Sequence, residues 1–144
     1  MLVVMFSLVG TAIEGLCMLA HYAPLIFLKS AQHLTGFSLS QLETLSYASL
    51  ELFGFGFMIA LVFFGGYCIS IGILILRSGV LPRIIGALLA FQGVCYLINS
   101  FSHFIAPGFG VRFFPVLMLS GLGEVSFCLW LLIKGVNKLP ENEK

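Results

Sequence analysis

Aspartate is missing from this 144-residue chain altogether, and charged side chains of every kind make up only 9% of it. A soluble domain carries about 25% charge, so the polar surface that keeps a fold in water is not here. Hydrophobic residues reach 60% and the mean hydropathy is +1.11, more apolar surface than a water-soluble fold of this length can bury. Basic residues are as scarce as acidic ones, 7 against 6 with a net charge of +1. That leaves no basic face for a phosphate backbone and removes nucleic acid as a partner. Cys17, Cys68, Cys95 and Cys128 include no C-x-x-C pair for redox or zinc chemistry. Each lies in an apolar run, where a free cysteine acts as a small packing residue. The apolar N-terminus lacks a basic leader region, carries Glu14 in its middle and shows no small-x-small cleavage site, so it reads as a membrane span and not a signal peptide. Nothing charged precedes Glu14, which suggests a chain that begins part-way through a longer protein.

What is present is long and apolar. A spanning helix needs about 20 mostly apolar residues, and four runs qualify: about 2–28, 45–76, 84–105 and 113–133. Their length and continuity imply helices and not barrel strands. The expected fold is an all-α membrane helix bundle, with a four-helix transmembrane domain over 1–136 and a short polar tail over 137–144. Arg77-Ser-Gly-Val-Leu-Pro-Arg83 reads as a tight hairpin, with Gly79 in the left-handed C-terminal position and Pro82 in the first turn of the next helix. Ala106-Pro-Gly-Phe-Gly110 reads as a second turn. Segment 29–43 mixes polar and apolar residues and suits the membrane interface; within it Ser40-Gln-Leu-Glu43 matches a capping box. A helix from Ser40 to Leu76 is ~55 Å long at 1.5 Å per residue, against a hydrocarbon core of ~30 Å. It must project, tilt or break, and Gly54-Phe-Gly56 is the softest point.

Basic residues near span ends set orientation. Arg77, Arg83, Lys134, Lys138 and Lys144 share one side, while Lys29 and Arg112 share the other. This places the chain in the cell membrane as a multi-pass protein with both termini in the cytoplasm.

Polar residues inside such spans carry the functional argument, because an acidic side chain at mid-membrane costs roughly +2.5 to +3.5 kcal/mol on the insertion scale. Glu124 lies in the middle of the fourth run and Glu14 at a similar depth in the first. Helical spacing groups the others. Glu14, Cys17 and His21 share a face of the first helix; Tyr47, Glu51, Gly54 and Met58 share one on the second. Gln92, Cys95, Asn99 and His103 share a face of the third, and Ser120, Glu124 and Cys128 one of the fourth. Polar stripes of a membrane bundle turn away from lipid. If they converge, Glu14, His21, Glu51, Gln92, Asn99, His103 and Glu124 line a polar pocket open to the extracytoplasmic side, with Glu51 near the outer interface, His21, Asn99 and His103 in the outer third, Gln92 deeper and the two carboxylates Glu14 and Glu124 at its floor. The plainer alternative is a set of separate helix–helix hydrogen bonds with protonated glutamates as structural glue. Gly86 and Ala90 form a small-x-x-x-small pair suited to close packing.

Ser78-Gly-Val-Leu-Pro-Arg83, Gly86, Gly93, Tyr96-Leu-Ile-Asn-Ser100, Gly123-Glu124, Trp130-Leu-Leu-Ile-Lys-Gly135 and Val62-Phe-Phe-Gly-Gly66 together resemble the bacterial membrane family catalogued as domain of unknown function 4386. The resemblance covers residues 6–136. It implies a membrane helix bundle with about two further spans upstream, so that this chain corresponds to the family's C-terminal four helices. It implies no activity.

Three functions compete. The leading one is a non-enzymatic membrane protein, without cofactor, whose polar pocket binds or passes a small ligand, an ion or a proton, with Glu14 and Glu124 as titrating groups. The second is a structural or assembly subunit packing against another membrane protein or a second copy of itself. The third is a redox role in which His21 and His103 ligate a haem or, with Glu14 or Glu51, a metal; three histidines in all, one of them His33 in the interfacial segment, are thin support.

Overall fold

Long uninterrupted apolar runs leave a backbone in lipid one way to satisfy its own polar groups, the α-helix. The structure, a computed structural model, describes residues 1–29, 36–106 and 115–135, and these are helical apart from short turns, with no strand among them. The helices are α1 (Leu2–Lys29), α2 (Leu39–Ser78), α3 (Arg83–Ile105) and α4 (Pro115–Ile133), and all four are long and apolar enough to cross a membrane. The interfacial stretch 30–35 with His33, the turn residues 107–110, Arg112 and the tail 137–144 lie outside the described residues.

Three local expectations change. First, α2 begins at Leu39, and its capping box is Ser38 with Gln41, not Ser40 with Glu43. The Gln41 N–H donates to the Ser38 hydroxyl at 3.4 Å and the Ser38 N–H donates to Gln41 Oε1 at 2.8 Å. Ser40 and Glu43 repeat the same spacing two residues later, but the upstream pair captures the helix end and the Ser40 hydroxyl bonds to that of Ser38 instead. Second, Gly54-Phe-Gly56 is no break: α2 runs unbroken for 40 residues, ~60 Å of helix. The usual tilts of up to ~40° do not fit that length into a ~30 Å core, so part of α2 projects. Gly56 serves packing, since a Cβ there would collide with the Cys17 side chain of α1. Third, α4 is interrupted at Gly121. At the α2–α3 turn Gly79 takes the left-handed conformation at φ 67° and Pro82 caps α3 at φ −55°, just ahead of its first turn.

Each helix packs on its neighbour in sequence, and α1 packs on α2 and on neither α3 nor Leu122–Ile133. α2 stands between α1 and α3. One side meets Phe6, Gly10 and Cys17 of α1 through Gly66, Phe63 and Gly56. The other meets α3 at glycine-to-glycine crossings: a Cβ on Gly93 would lie 2.6 Å from the Gly65 carbonyl oxygen, and one on Gly72 would lie 2.6 Å from that of Gly86. Such backbone proximity is how membrane helices gain packing without a hydrophobic driving force. Gly86 and Ala90 close on Gly72 as one contact. The core comprises Cys68, Ile75, Leu81, Ile85 and Leu89, with Tyr67, Tyr96, Phe127 and Trp130 packed against it.

Candidate functional site

Polar groups meet where α2, α3 and α4 come together. The ladder of α4 thins just after Gly121, whose own N–H still reaches the Leu117 carbonyl, and the next helical stretch starts at Leu122. A helix start leaves backbone N–H groups without an internal acceptor. One of them, the Glu124 N–H, donates across to Gln92 Oε1 at 2.9 Å. Gln92 is 0% exposed, so this amide does for α4 what a capping side chain does elsewhere, from a neighbouring helix. Its position follows from Gly123, which lets α4 approach the Leu88 carbonyl and the Gln92 side chain.

The Gln92 amide has a second end. Nε2 donates to the Tyr96 hydroxyl at 2.7 Å, one turn further along α3. The Tyr96 O–H donates to Glu124 Oε2 at 3.1 Å, and the Cys68 S–H of α2 donates to Glu124 Oε1 at 3.4 Å. The result is a closed loop through Gln92, Tyr96 and Glu124 with Cys68 attached. Both carboxylate oxygens are engaged, and both helices beside α4 contribute. Glu124 itself is half-buried.

The other sequence candidates fall elsewhere. Asn99 is buried and its amide lies 3.4 Å from Met58 Sδ, while neighbouring Ser100 donates to the Met58 carbonyl at 2.9 Å; both tie α3 to α2. Glu51 is exposed and accepts from the Tyr47 hydroxyl at 3.0 Å, one turn away on its own helix. His21 packs on Phe53 with ring centroids 4.6 Å apart, and His103 on Phe55 at 5.4 Å. Phe53 and Phe55 are two residues apart on α2 and so project from nearly opposite sides. α2 therefore stands between the two histidines, which overturns a haem held by both. Among the described residues no three His, Cys, Asp or Glu side chains gather where a metal ion could sit.

Glu14 is half-buried on α1 and has no hydrogen-bond partner among the described residues. Gly10 faces Phe63 and Cys17 faces Gly56, which puts Glu14 level with the α2 turn around Met58 and so with Asn99. Glu124 is level with Gln92, about seven residues or ~10 Å away along the bundle axis, on the Leu122–Ile133 part of α4, which α1 does not touch. The two glutamates do not share one floor, and the structure does not gather all seven candidates into one pocket. An open groove along the end of α3 is lined by Leu97, Ile98, Phe101, Ser102, Ile105 and Ala106, none of them a candidate.

Tyr96 and Cys68 are the members of the Glu124 cluster that the sequence did not single out. Tyr96 had a legible signal, since it follows Gln92 by four residues on the same face. Cys68 had none beyond its apolar surroundings.

The chain belongs to the family described as Domain of unknown function (DUF4386), matching it over residues 1–135. A protein of Archaeoglobus fulgidus named Uncharacterized protein is 36% identical over 80 residues, which are 56% of this chain and 46% of that relative. The matched stretch thus spans less than half of the relative's length. No solved structure matches the chain.

Proposed function

We propose that this chain is a non-enzymatic membrane protein whose intramembrane polar residues serve helix assembly, and that it works as a subunit packed against further membrane helices, of a second copy or of another protein. The observation that carries this reading is Glu14. It lies half-buried at mid-length of a span, without a hydrogen-bond partner among the described residues, on a helix that packs on α2 and on neither α3 nor Leu122–Ile133. A carboxyl group facing lipid is costly, and such groups face protein or a water-filled cavity by default. A neighbouring helix offering a donor at that depth removes the cost. Glu124 supports the same reading from inside, since its hydrogen bonds go to α2 and α3. We place the four-helix domain over 1–136 in the cell membrane with both termini in the cytoplasm, on the distribution of basic residues.

The pocket reading, with a small ligand, an ion or a proton as its occupant, keeps one specific support: a half-buried carboxyl group joined to a phenol, an amide and a thiol gathers polar chemistry inside a span. Native mass spectrometry of the detergent-purified protein separates the two. Assembly predicts a stoichiometric oligomer or a co-purified membrane subunit, and weaker association on Glu14→Leu. A monomer that carries the added mass of a small molecule, a haem or a metal overturns it.

A further inference from the structure

The pairings between helices give each residue a height along α2. On one side Gly65 meets Gly93, Gly72 meets Gly86, Ser100 reaches the Met58 carbonyl and Phe55 packs on His103. The register is constant through these pairs, so α3 begins level with Ile75 and ends level with Phe53. On the other side Phe6 meets Gly66, Cys17 meets Gly56 and His21 packs on Phe53. Past Phe53, α1 continues through Tyr22–Lys29, ~12 Å of helix, and α2 through Leu39–Leu52, ~21 Å. α3 has already stopped at Ile105.

The chemistry changes at the same height. From Leu52 to Leu76 α2 has no charged side chain, and Arg77 and Arg83 close that run at the turn into α3. The 23 residues of α3 make ~35 Å of helix, which spans a hydrocarbon core of ~30 Å with an ordinary tilt. Leu39–Glu51, in contrast, carries Ser40, Gln41, Glu43, Thr44, Tyr47 and Glu51, all six exposed. Such side chains facing hydrocarbon are costly, and in water they are at home. Leu42 and Ser46 of the same stretch are buried, so it is packed structure and not a frayed end. At the boundary His21, Tyr22 and His103 stand close to one height, and rings with an apolar body and a polar tip suit a membrane–water interface. Moving the core two helical turns, ~11 Å, towards Leu39 would draw Glu51 into hydrocarbon. The opposite move would draw in Arg77 and Arg83.

We propose that the bilayer contacts this bundle between the height of His21, Phe53 and His103 and the Arg77–Arg83 turn, and that Leu39–Glu51 of α2, beside the end of α1, stands out of it as a helical stem in water. The stem rests on the membrane reading of the chain and not on the assembly reading. Glu51 is then a surface group in water and no part of an intramembrane site. With both termini in the cytoplasm, the stem is extracytoplasmic.

Single added cysteines test this in the protein held in phosphatidylcholine nanodiscs, where a sulfonated, water-soluble maleimide reaches both membrane faces. Ser40→Cys and Thr44→Cys lie in the stem, Ile59→Cys and Leu74→Cys within the core, and all four positions are exposed in the fold. Their difference therefore reports lipid and not protein packing. The wild type, whose four cysteines all lie in the spans, gives the baseline. The expected result is complete modification of Ser40→Cys and Thr44→Cys, and none above baseline for Ile59→Cys and Leu74→Cys. Protection at all four positions overturns the stem and leaves the membrane reading standing. Reaction at all four overturns the membrane reading and the stem with it. If an added cysteine hinders folding, hydrogen exchange of the wild type in the same nanodiscs decides. The amides of 43–51 should exchange while those of 57–73 stay protected, and equal protection contradicts the stem.

Discussion

Around Glu124, three helices converge on one carboxyl group; Glu14, on α1 against α2, has no hydrogen-bond partner among the described residues. In the first region glycines bring α2 against α3 and α3 against α4, so that Gly93, Gly72 and Gly123 each sit within 3 Å of where a Cβ would meet another backbone or Gln92. In the second region α1 buries only Gly10. Packing at Gly123 brings donors of α2 and α3 within reach of Glu124, whereas α1 and α2 pack closely through Gly56 and Gly66 but bring no donor to Glu14. The same residue type in mid-span is internal glue in one place and an outward-looking group in the other. The donors within reach decide.

The contrast is broken most severely by adding bulk to the tight side. Gly93→Ala places a Cβ against the Gly65 carbonyl and the Ile69 backbone nitrogen, atoms that cannot move without parting the helices. A loss of about 1–3 kcal/mol is expected for such overpacking, seen as a lower melting temperature by circular dichroism in detergent. Gly15→Ala on α1 meets nothing within 4 Å and should instead gain about 0.5–1 kcal/mol from helix propensity. Next in size is Gln92→Leu, which leaves the Glu124 N–H without an acceptor. An unsatisfied group of that kind costs about 1–3 kcal/mol, and hydrogen exchange should quicken at the amides just after Gly121. Tyr96→Phe removes one bond to Glu124 and should cost about 0.6–1.7 kcal/mol, the span of interhelical hydrogen bonds measured in membranes. Smallest is Tyr47→Phe: this pair with Glu51 is exposed, and the melting temperature should not change.

The four spans were legible because length and apolarity alone define them in a bilayer. Glu124 was legible by the same token, as an ionisable residue out of place. Gln92 was legible as a polar residue in a span and Tyr96 by its spacing from it, but that they meet Glu124 was not, since this depends on which face of α3 meets α4. Gly123 and the Gly121 interruption set that geometry, and in the sequence they are two glycines in an apolar run. The pairing of Glu14 with Glu124 failed for a related reason: equal depth counted along two separate helices says nothing about helix order. The histidines show it again, standing on opposite flanks of α2 although they are level along it. The start of α2 was misplaced because Ser38–Gln41 and Ser40–Glu43 have the same capping spacing, and only the chain's entry path chooses between them.

The central claim is that Glu124 works within the chain and Glu14 works beyond it. Thermal unfolding of Glu124→Gln and Glu14→Gln, side by side in one detergent with the wild type, tests it most directly. The account predicts a clear loss of stability for Glu124→Gln and none for Glu14→Gln. Equal losses, or a loss at Glu14 alone, would contradict it.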